Sequence, residues 1–202
     1  MIFLKKIIKT LVIKPNLYLN SSLNFIYNFI NIKMYQISYV SFPVIKGKLL
    51  VKNWGHCFIG MNVNFNSTIL SNLAGLYKPC TIYVLRGATL NIGDNTGFSG
   101  VSIYCTNNIT IGNYCNIGVN VAIWDTDFHP LDYLERRVTI ESAKKAPIVI
   151  GNDVFVGANS IILKGVKIGD RSIIGAGSIV AKNIPADEVW AGNPAKFIRK
   201  IP

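Results

Sequence analysis

A chain of 202 residues, half of them hydrophobic, can bury one substantial core. It lacks an apolar run long enough to span a bilayer, because Lys5, Lys6, Lys9 and Lys14 break the first hydrophobic stretch, and that segment has no small-residue cleavage site of the secretory kind. The formal net charge is +11, and ten Lys and Arg but no acidic residue precede Asp94; such a skew suits anionic lipid headgroups, nucleic acid or anionic small molecules. No nucleic-acid-binding motif accompanies it, so nucleic acid is not an expected partner. Cys57, Cys80, Cys105 and Cys115 form no C-x-x-C pair and do not cluster with histidine. They read as buried thiols of a reducing compartment, the cytoplasm, rather than as zinc ligands or a redox pair.

Residues 1–13 place Ile2, Leu4, Ile7, Ile8 and Leu11 near helical spacing among Lys5, Lys6 and Lys9. A short basic amphipathic helix is expected, either lying on the inner face of a membrane or packed as a cap on the structure that follows. Asn24–Ile37 is a second helical candidate, within an N-terminal extension over residues 1–47. From residue 48 a six-residue step appears, first between Ile59 and Phe65, is lost in 72–81, and returns at Ile92 and Phe98. Ile111, Ile117 and Ile123 continue it. Nineteen residues rather than eighteen separate Ile92 from Ile111, so one extra residue is expected in a bulged turn near Cys105–Asn108.

Residues 125–147 carry no repeat and are polar and charged, so they are expected to loop out of the scaffold. Long excursions from a regular scaffold tend to be functional. This one holds His129, flanked by Asp125, Asp127 and the Arg136–Arg137 pair. A neutral imidazole takes a proton from a hydroxyl near neutral pH, which suits general base catalysis. A carboxylate or backbone carbonyl on its other nitrogen would fix the tautomer, with Asp127 and Asp125 the candidates. The plain alternative is a loop histidine bonded only to its neighbours. His56 reads as structural, and two histidines in all cannot supply a three-histidine zinc centre.

From Ile150 to Pro185 the period is regular. Ile150, Val156, Ile162, Ile168, Ile174 and Val180 open successive blocks of six, and Val154, Ser160, Val166, Ser172, Ser178 and Ile184 follow four residues after each. Such fixed-period self-similarity marks a β-solenoid. Each block supplies a strand and a corner of a three-sided prism, and the block-opening aliphatics stack inside it. Glycine after the aliphatic suits a corner of positive φ or of close packing.

The blocks, the D-x-D-x-H-P loop at Asp125–Pro130, GAGSIVAKNIP at Gly175–Pro185 and AGNPAKFIRK at Ala191–Lys200 together resemble the left-handed β-helix (hexapeptide-repeat) acyltransferases. Within these the likeness is to the maltose, galactoside and polysaccharide O-acetyltransferases, and it covers roughly residues 50–202. The first fifty residues do not match that pattern.

The resemblance implies an all-β left-handed parallel β-helix over residues 48–185, a tail over 186–202, a homotrimer, and active sites between adjacent prisms. It implies His129 as the base that deprotonates a sugar hydroxyl for direct attack on acetyl-CoA, with no metal and no covalent acyl-enzyme. It also implies coenzyme A contacts at Ala158 and Ala176 through backbone, and at Ala181, Lys182, Lys196 and Arg199 near the phosphates. Relatives often carry Thr at position 181 and Arg at 196, and Lys cannot match the bidentate grip of Arg. Ser99, Asp125 and Arg136 fall near acceptor-binding positions. With about seventeen residues after Pro185, acetyl is the expected acyl group. Two other functions compete: N-acetylation of a nucleotide-linked amino sugar, for which the first fifty residues lack a Gly-rich phosphate loop, and a non-catalytic solenoid scaffold.

Overall fold

A computed structural model describes residues 14–202, with side chains described from Ser21 onward. The basic helix expected over residues 1–13 lies outside the described residues. Helix α1 spans Lys14–Met34, beginning ten residues earlier than the candidate at Asn24 and ending before Ile37. Pro15 is tolerated in the first turn, where a backbone N–H lacks an acceptor in any case. The C-terminus closes as a Schellman turn: Gln36 adopts φ 50°, its amide donates to Lys33 O, and the Ile37 amide donates to Ile32 O. Ile32 and Ile37 are both buried, supplying the apolar contact of that motif.

The rest of the chain winds as a left-handed parallel β-helix of three faces. The first face stacks Ser38–Tyr39, His56–Ile59, Thr89–Ile92, Asn108–Ile111, Ile148–Ile150 and Lys167–Ile168. The second stacks Val44–Gly47, Asn64–Ser67, Gly97–Ser99, Asn116–Val119, Phe155–Val156, Ile173–Ile174 and Glu188–Gly192. The third stacks Leu50–Asn53, Thr81–Val84, Ser102–Cys105, Ala122–Trp124, Ile161–Leu163 and Ile179–Val180. All these pairings are parallel, with Ala195–Lys200 adding one antiparallel strand at the end of the second face.

The coil thus starts at Ser38, ten residues before the boundary expected at residue 48. Its first strands were hard to see because they end the stack: Val44 is exposed and Ile45 only half-buried, so they lack the buried-aliphatic signature.

Both inward columns are buried. Every block-opening aliphatic from Ile150 to Val180, and every partner from Val154 to Ile184, is at most 2% exposed. The left-handed backbone falls on the third residue after each opener from Ile150 to Ile174: Asp153 (φ 57°), Asn159 (59°), Gly165 (78°), Arg171 (60°) and Gly177 (70°). Glycine directly after the opener serves close approach instead. A Cβ on Gly157 would stand 2.5 Å from the Ala176 nitrogen of the next coil.

A ladder of side chains locks one corner. Met61 N–H donates to Asp94 Oδ1 (2.6 Å), Asp94 N–H to Asn113 Oδ1 (2.7 Å), Asn113 N–H to Asn152 Oδ1 (2.9 Å) and Asn152 N–H to Asp170 Oδ1 (2.7 Å).

The nineteen-residue coil is built differently from the single bulge expected. Eight residues separate inward Ile103 from Ile111, against six from Ile162 to Ile168, so that corner holds two extra. Phe98 to Ile103 is one short, with Gly100 at φ 57° making the tight passage. The strand at Asn116–Val119 then shifts register between Ile117 and Val119 to rejoin the stack.

At the first coil no strand among the described residues precedes to pair its edge, and α1 closes it. Buried Asn28 donates from Nδ2 to Gly47 O (2.9 Å) and accepts the Leu49 amide on Oδ1 (2.9 Å). Asn28→Ala leaves both backbone groups buried and unpaired. We expect a loss of about 2–3 kcal/mol in chemical denaturation.

Burial pushes the thiols of Cys57 and Cys105 up to about 12 from an ordinary 9.0, for Cys105 with help from Asp125 beside it. The folded state therefore favours the protonated thiol. Stability held this way is present below about pH 9 and is lost as pH climbs toward 12. Melting temperature is expected to fall across that window, and less steeply in Cys57→Ala.

Candidate active site

The excursion leaves the third face after Trp124 and returns at Ile148. Its base is a short antiparallel clamp: Thr126 bridges Lys145, the Asp127 amide donates to Lys144 O (3.0 Å), and the Ala146 amide donates to Asp125 O (3.0 Å). Asp125 is fully buried and its carboxylate is saturated. It accepts from the Thr106 amide (2.7 Å), Thr106 Oγ1 (2.8 Å) and the Asn107 amide (2.7 Å). A carboxylate so engaged faces neither an acceptor nor an imidazole, which corrects its expected acceptor-binding role. Asp125 instead pins the loop to the corner of the preceding coil.

Asp127 accepts from Lys164 Nζ at 2.5 Å, tying the loop to the following coil. Neither aspartate of the D-x-D-x-H-P motif is bonded to His129. Among the described residues the His129 imidazole has no hydrogen-bond partner, and the side chain is exposed.

What turns His129 outward is Phe128. It adopts φ 64°, costly for a bulky residue, while its amide donates to Thr126 Oγ1 (3.1 Å). The ring is seated against Tyr104 (centroids 4.9 Å apart) and Trp124 (5.5 Å), and Tyr104 stacks on Tyr83 at 4.8 Å. Tyr83, Tyr104 and Trp124 occupy the same outward position on three successive coils. Between this aromatic ladder and the loop lies a cavity of about 270 Å³, lined also by Thr106, Thr126, Glu141 and Lys145.

Beyond His129 the loop forms a one-turn helix, α2, over Tyr133–Val138. Asp132 caps it, accepting from the Leu134 (2.7 Å) and Glu135 (3.0 Å) amides. Arg136, expected to meet an anionic acceptor group, donates to Pro130 O (3.1 Å) and Leu131 O (3.3 Å). Its guanidinium closes the turn after His129, because five donors on a rigid fork suit adjacent carbonyls.

The remaining candidates divide into two edges of the third face and its foot. Ser99, Val119, Ala158 and Ala176 follow one another up a single corner, linked by amides of the next residue along: Asn120 N–H to Ser99 O, Asn159 N–H to Val119 O, and Gly177 N–H to Ala158 O. Ser99 is buried and accepts from Asn66 Nδ2 (3.2 Å) and Asn72 Nδ2 (3.1 Å). It borders a shallow cleft of about 210 Å³ with Asn116 and Gly118. Across the face, Ala181 and Lys182 stand one coil beyond Leu163 and Lys164, as the register of Ile161–Leu163 on Ile179–Val180 requires. Lys196 pairs opposite Ala191 and Arg199 opposite Val189 in the terminal hairpin, both exposed. Ala176, Lys182, Lys196 and Arg199 are all exposed around the last coils, and the Arg199 guanidinium donates to Lys200 O at 3.2 Å.

Sequence reasoning missed Phe128, Lys164 and the aromatic ladder. A signal was available, since Tyr83, Tyr104 and Trp124 are spaced by about one coil each. Among the described residues no three His, Cys, Asp or Glu side chains gather as a metal site would need.

A three-faced coil of hexapeptide blocks with a pinned histidine loop defines the class. The family described as bacterial transferase hexapeptide (six repeats) matches residues 147–182, and the chain is similar to hexapeptide-repeat acetyltransferases in sequence and in fold. Galactoside O-acetyltransferase of Escherichia coli is 41% identical over 122 residues, 59% of this chain and 58% of its own length. A hexapeptide-repeat containing acetyltransferase of Vibrio cholerae, solved with acetyl coenzyme A, is similar at 34% identity and TM-score 0.51, covering 56% of this chain and 60% of that one. The structure of the polySia specific acetyltransferase NeuO is similar at 29% identity and TM-score 0.54, covering 81% and 80%. The chain spans 44%, 66% and 60% of the length of three further curated relatives, from Schizosaccharomyces pombe, Dictyostelium discoideum and Saccharomyces cerevisiae.

Removing the Asp125 carboxylate strips three donors of their acceptor. Asp125→Ala is expected to speed proteolytic cleavage between residues 131 and 142 and to cost about 3 kcal/mol or more in stability. Lys164→Met, which frees a half-exposed ion pair, should loosen the loop with a smaller loss, near ~1 kcal/mol.

Proposed function

We propose that the protein is an acetyl-CoA-dependent O-acetyltransferase acting on a sugar hydroxyl of a surface polysaccharide or its precursor, with His129 as general base. The observation that carries this is His129 itself: exposed, unbonded among the described residues, and aimed outward by Phe128 in a left-handed conformation held on an aromatic ladder. A rigid scaffold rarely strains a bulky residue without a function to serve.

In this reaction the imidazole takes the proton of the acceptor hydroxyl as its oxygen attacks the thioester carbonyl. Backbone N–H groups stabilise the tetrahedral oxyanion. Collapse forms the ester and breaks the carbon–sulfur bond, and the departing thiolate takes the proton from the imidazolium. Ala158 and Ala176, small residues on the corner column, leave backbone open to a pantetheine arm. Lys182, Lys196 and Arg199 would meet the phosphates, with Ala181 lacking a hydroxyl for one further contact. Ser99 borders the acceptor cleft. With Asp127 held by Lys164, we assign the orientation of His129 to Phe128 and Thr126, and Asp127 becomes a residue that positions the loop.

The site is completed by a neighbouring copy in a homotrimer. Support comes from the loop's apolar exterior: Leu131, Leu134, Val138 and Ile140 are 55–84% exposed, a patch that a monomer in water leaves uncovered at cost. We place the protein in the cytoplasm, where acetyl-CoA and reduced thiols are found.

N-acetylation has weaker support. A 2,3,4,5-tetrahydropyridine-2,6-dicarboxylate N-acetyltransferase of Clostridium perfringens aligns over 62 residues, 31% of this chain, whereas the galactoside O-acetyltransferase aligns over 122.

His129→Ala is expected to lower acetyl transfer from acetyl-CoA to a sugar acceptor by about 10²–10⁴-fold, with coenzyme A affinity within twofold. Unchanged transfer removes the base. Mass spectrometry of the product separates ester from amide, and a wild-type protein that fails to bind coenzyme A by calorimetry is a scaffold.

A further inference from the structure

Helix α1 carries a broad apolar face toward solvent. Its side toward the coil is mixed: Asn28 is buried and bonded to Gly47 and Leu49, Ile32 is buried in the core, and Asn31 is half-buried with its side-chain amide on Tyr27 O. The side toward solvent is apolar. Leu23, Phe25, Ile26, Phe29, Ile30 and Met34 are each 43–59% exposed. Among the described residues Phe42 touches the rings of Phe25 and Phe29 at one margin and leaves the rest of the face open, and i, i+3, i+4 and i+7 spacing joins these side chains into one continuous face.

The surroundings of that face are cationic. Lys33 lies beside it, with Nζ 6.0 Å from the Phe29 ring, and Lys48 sits 5.0 Å over Tyr27. Lys46 and Lys52 are exposed on the first coil beneath the helix. The first 93 residues hold ten Lys and Arg and no Asp or Glu, while the remaining 109 hold eleven and ten. The charge excess of the whole chain therefore belongs to its first 93 residues, and of these Lys33, Lys46, Lys48 and Lys52 stand at the end of the column that α1 closes.

The geometry points to an anionic lipid bilayer as the occupant of this face. The apolar side of α1 enters the interface and the flanking lysines reach the headgroups, as an interfacial amphipathic helix does. A second copy meeting this face end to end would set lysine against lysine with no carboxylate in either half to compensate, and like charges across an interface repel. Among the described residues no helix is long and apolar enough to cross a membrane, so the contact is peripheral. It depends in no way on acetyl transfer.

The test is co-sedimentation of the full chain with vesicles of phosphatidylcholine alone or mixed with phosphatidylglycerol, at low and high salt. Wild type is expected to sediment with the mixed vesicles at least about tenfold more strongly than with phosphatidylcholine alone, and to be released by salt. Ile26→Ser with Ile30→Ser should weaken that binding about tenfold or more, with an unchanged melting temperature because both side chains face solvent. Leu23→Ser with Met34→Ser is the second variant should the first melt early. Lys46→Gln with Lys52→Gln should reduce binding to the mixed vesicles and leave phosphatidylcholine unaffected. Failure of wild type to sediment with anionic vesicles overturns the inference. So does binding indifferent to both serine pairs, or self-association in solution that the serine pairs abolish, since a second copy would then be the occupant. Coenzyme A titration of the same preparations reads the acetyl-transfer proposal separately.

Discussion

Each coil must lie flat on the one before it, and this constraint shapes the whole molecule. Parallel strands exchange backbone hydrogen bonds residue for residue, and the enclosed prism has room for one inward side chain at each step. The ladder of Asp94, Asn113, Asn152 and Asp170 extends the same demand to a corner, where each side chain accepts the amide of the coil before it. A strand cannot absorb an inserted residue without flipping its neighbours out of the core. Insertions therefore leave at corners, as at residues 68–80 and 125–147, or are balanced within one coil, as around Gly100 and Ile103–Ile111.

The same constraint holds a long loop in a fixed position. Loops are ordinarily the mobile parts of a fold. Here the excursion is held by Asp125 to the coil on one side, by Asp127 and Lys164 to the coil on the other, and by Phe128 to an aromatic ladder that the coil repeat itself generates. Two carboxylates beside a histidine suggest a charge relay in sequence. In three dimensions both face the scaffold, and among the described residues the imidazole has no hydrogen-bond partner.

The two ends of the column answer the problem of unpaired edges differently. The last coil adds a strand and an antiparallel hairpin, Ala195–Lys200, that extends the second face. The first coil is closed by a helix laid across it, and the bonds it needs are polar, so asparagine occupies the inward side of α1. That exchange leaves the apolar side outward in the most cationic part of the chain.

Periodicity alone determined the prism: an aliphatic every six residues, with a small or branched partner four later, has few other ways to bury itself. The loop was equally legible, because register fails between Ile123 and Ile150 and His129 sits in the gap. The tertiary structure decided what the carboxylates do. Whether Asp125 and Asp127 meet an imidazole, two threonine and asparagine amides, or a lysine depends on which coil lies alongside, and residues 106, 107 and 164 come close only through the winding. It also decided which side of α1 faces water. Hydrophobic patterning predicts burial of the Phe and Ile side, but the unpaired backbone at Gly47 and Leu49 requires the asparagine side instead, and an unsatisfied buried amide outweighs an exposed methyl.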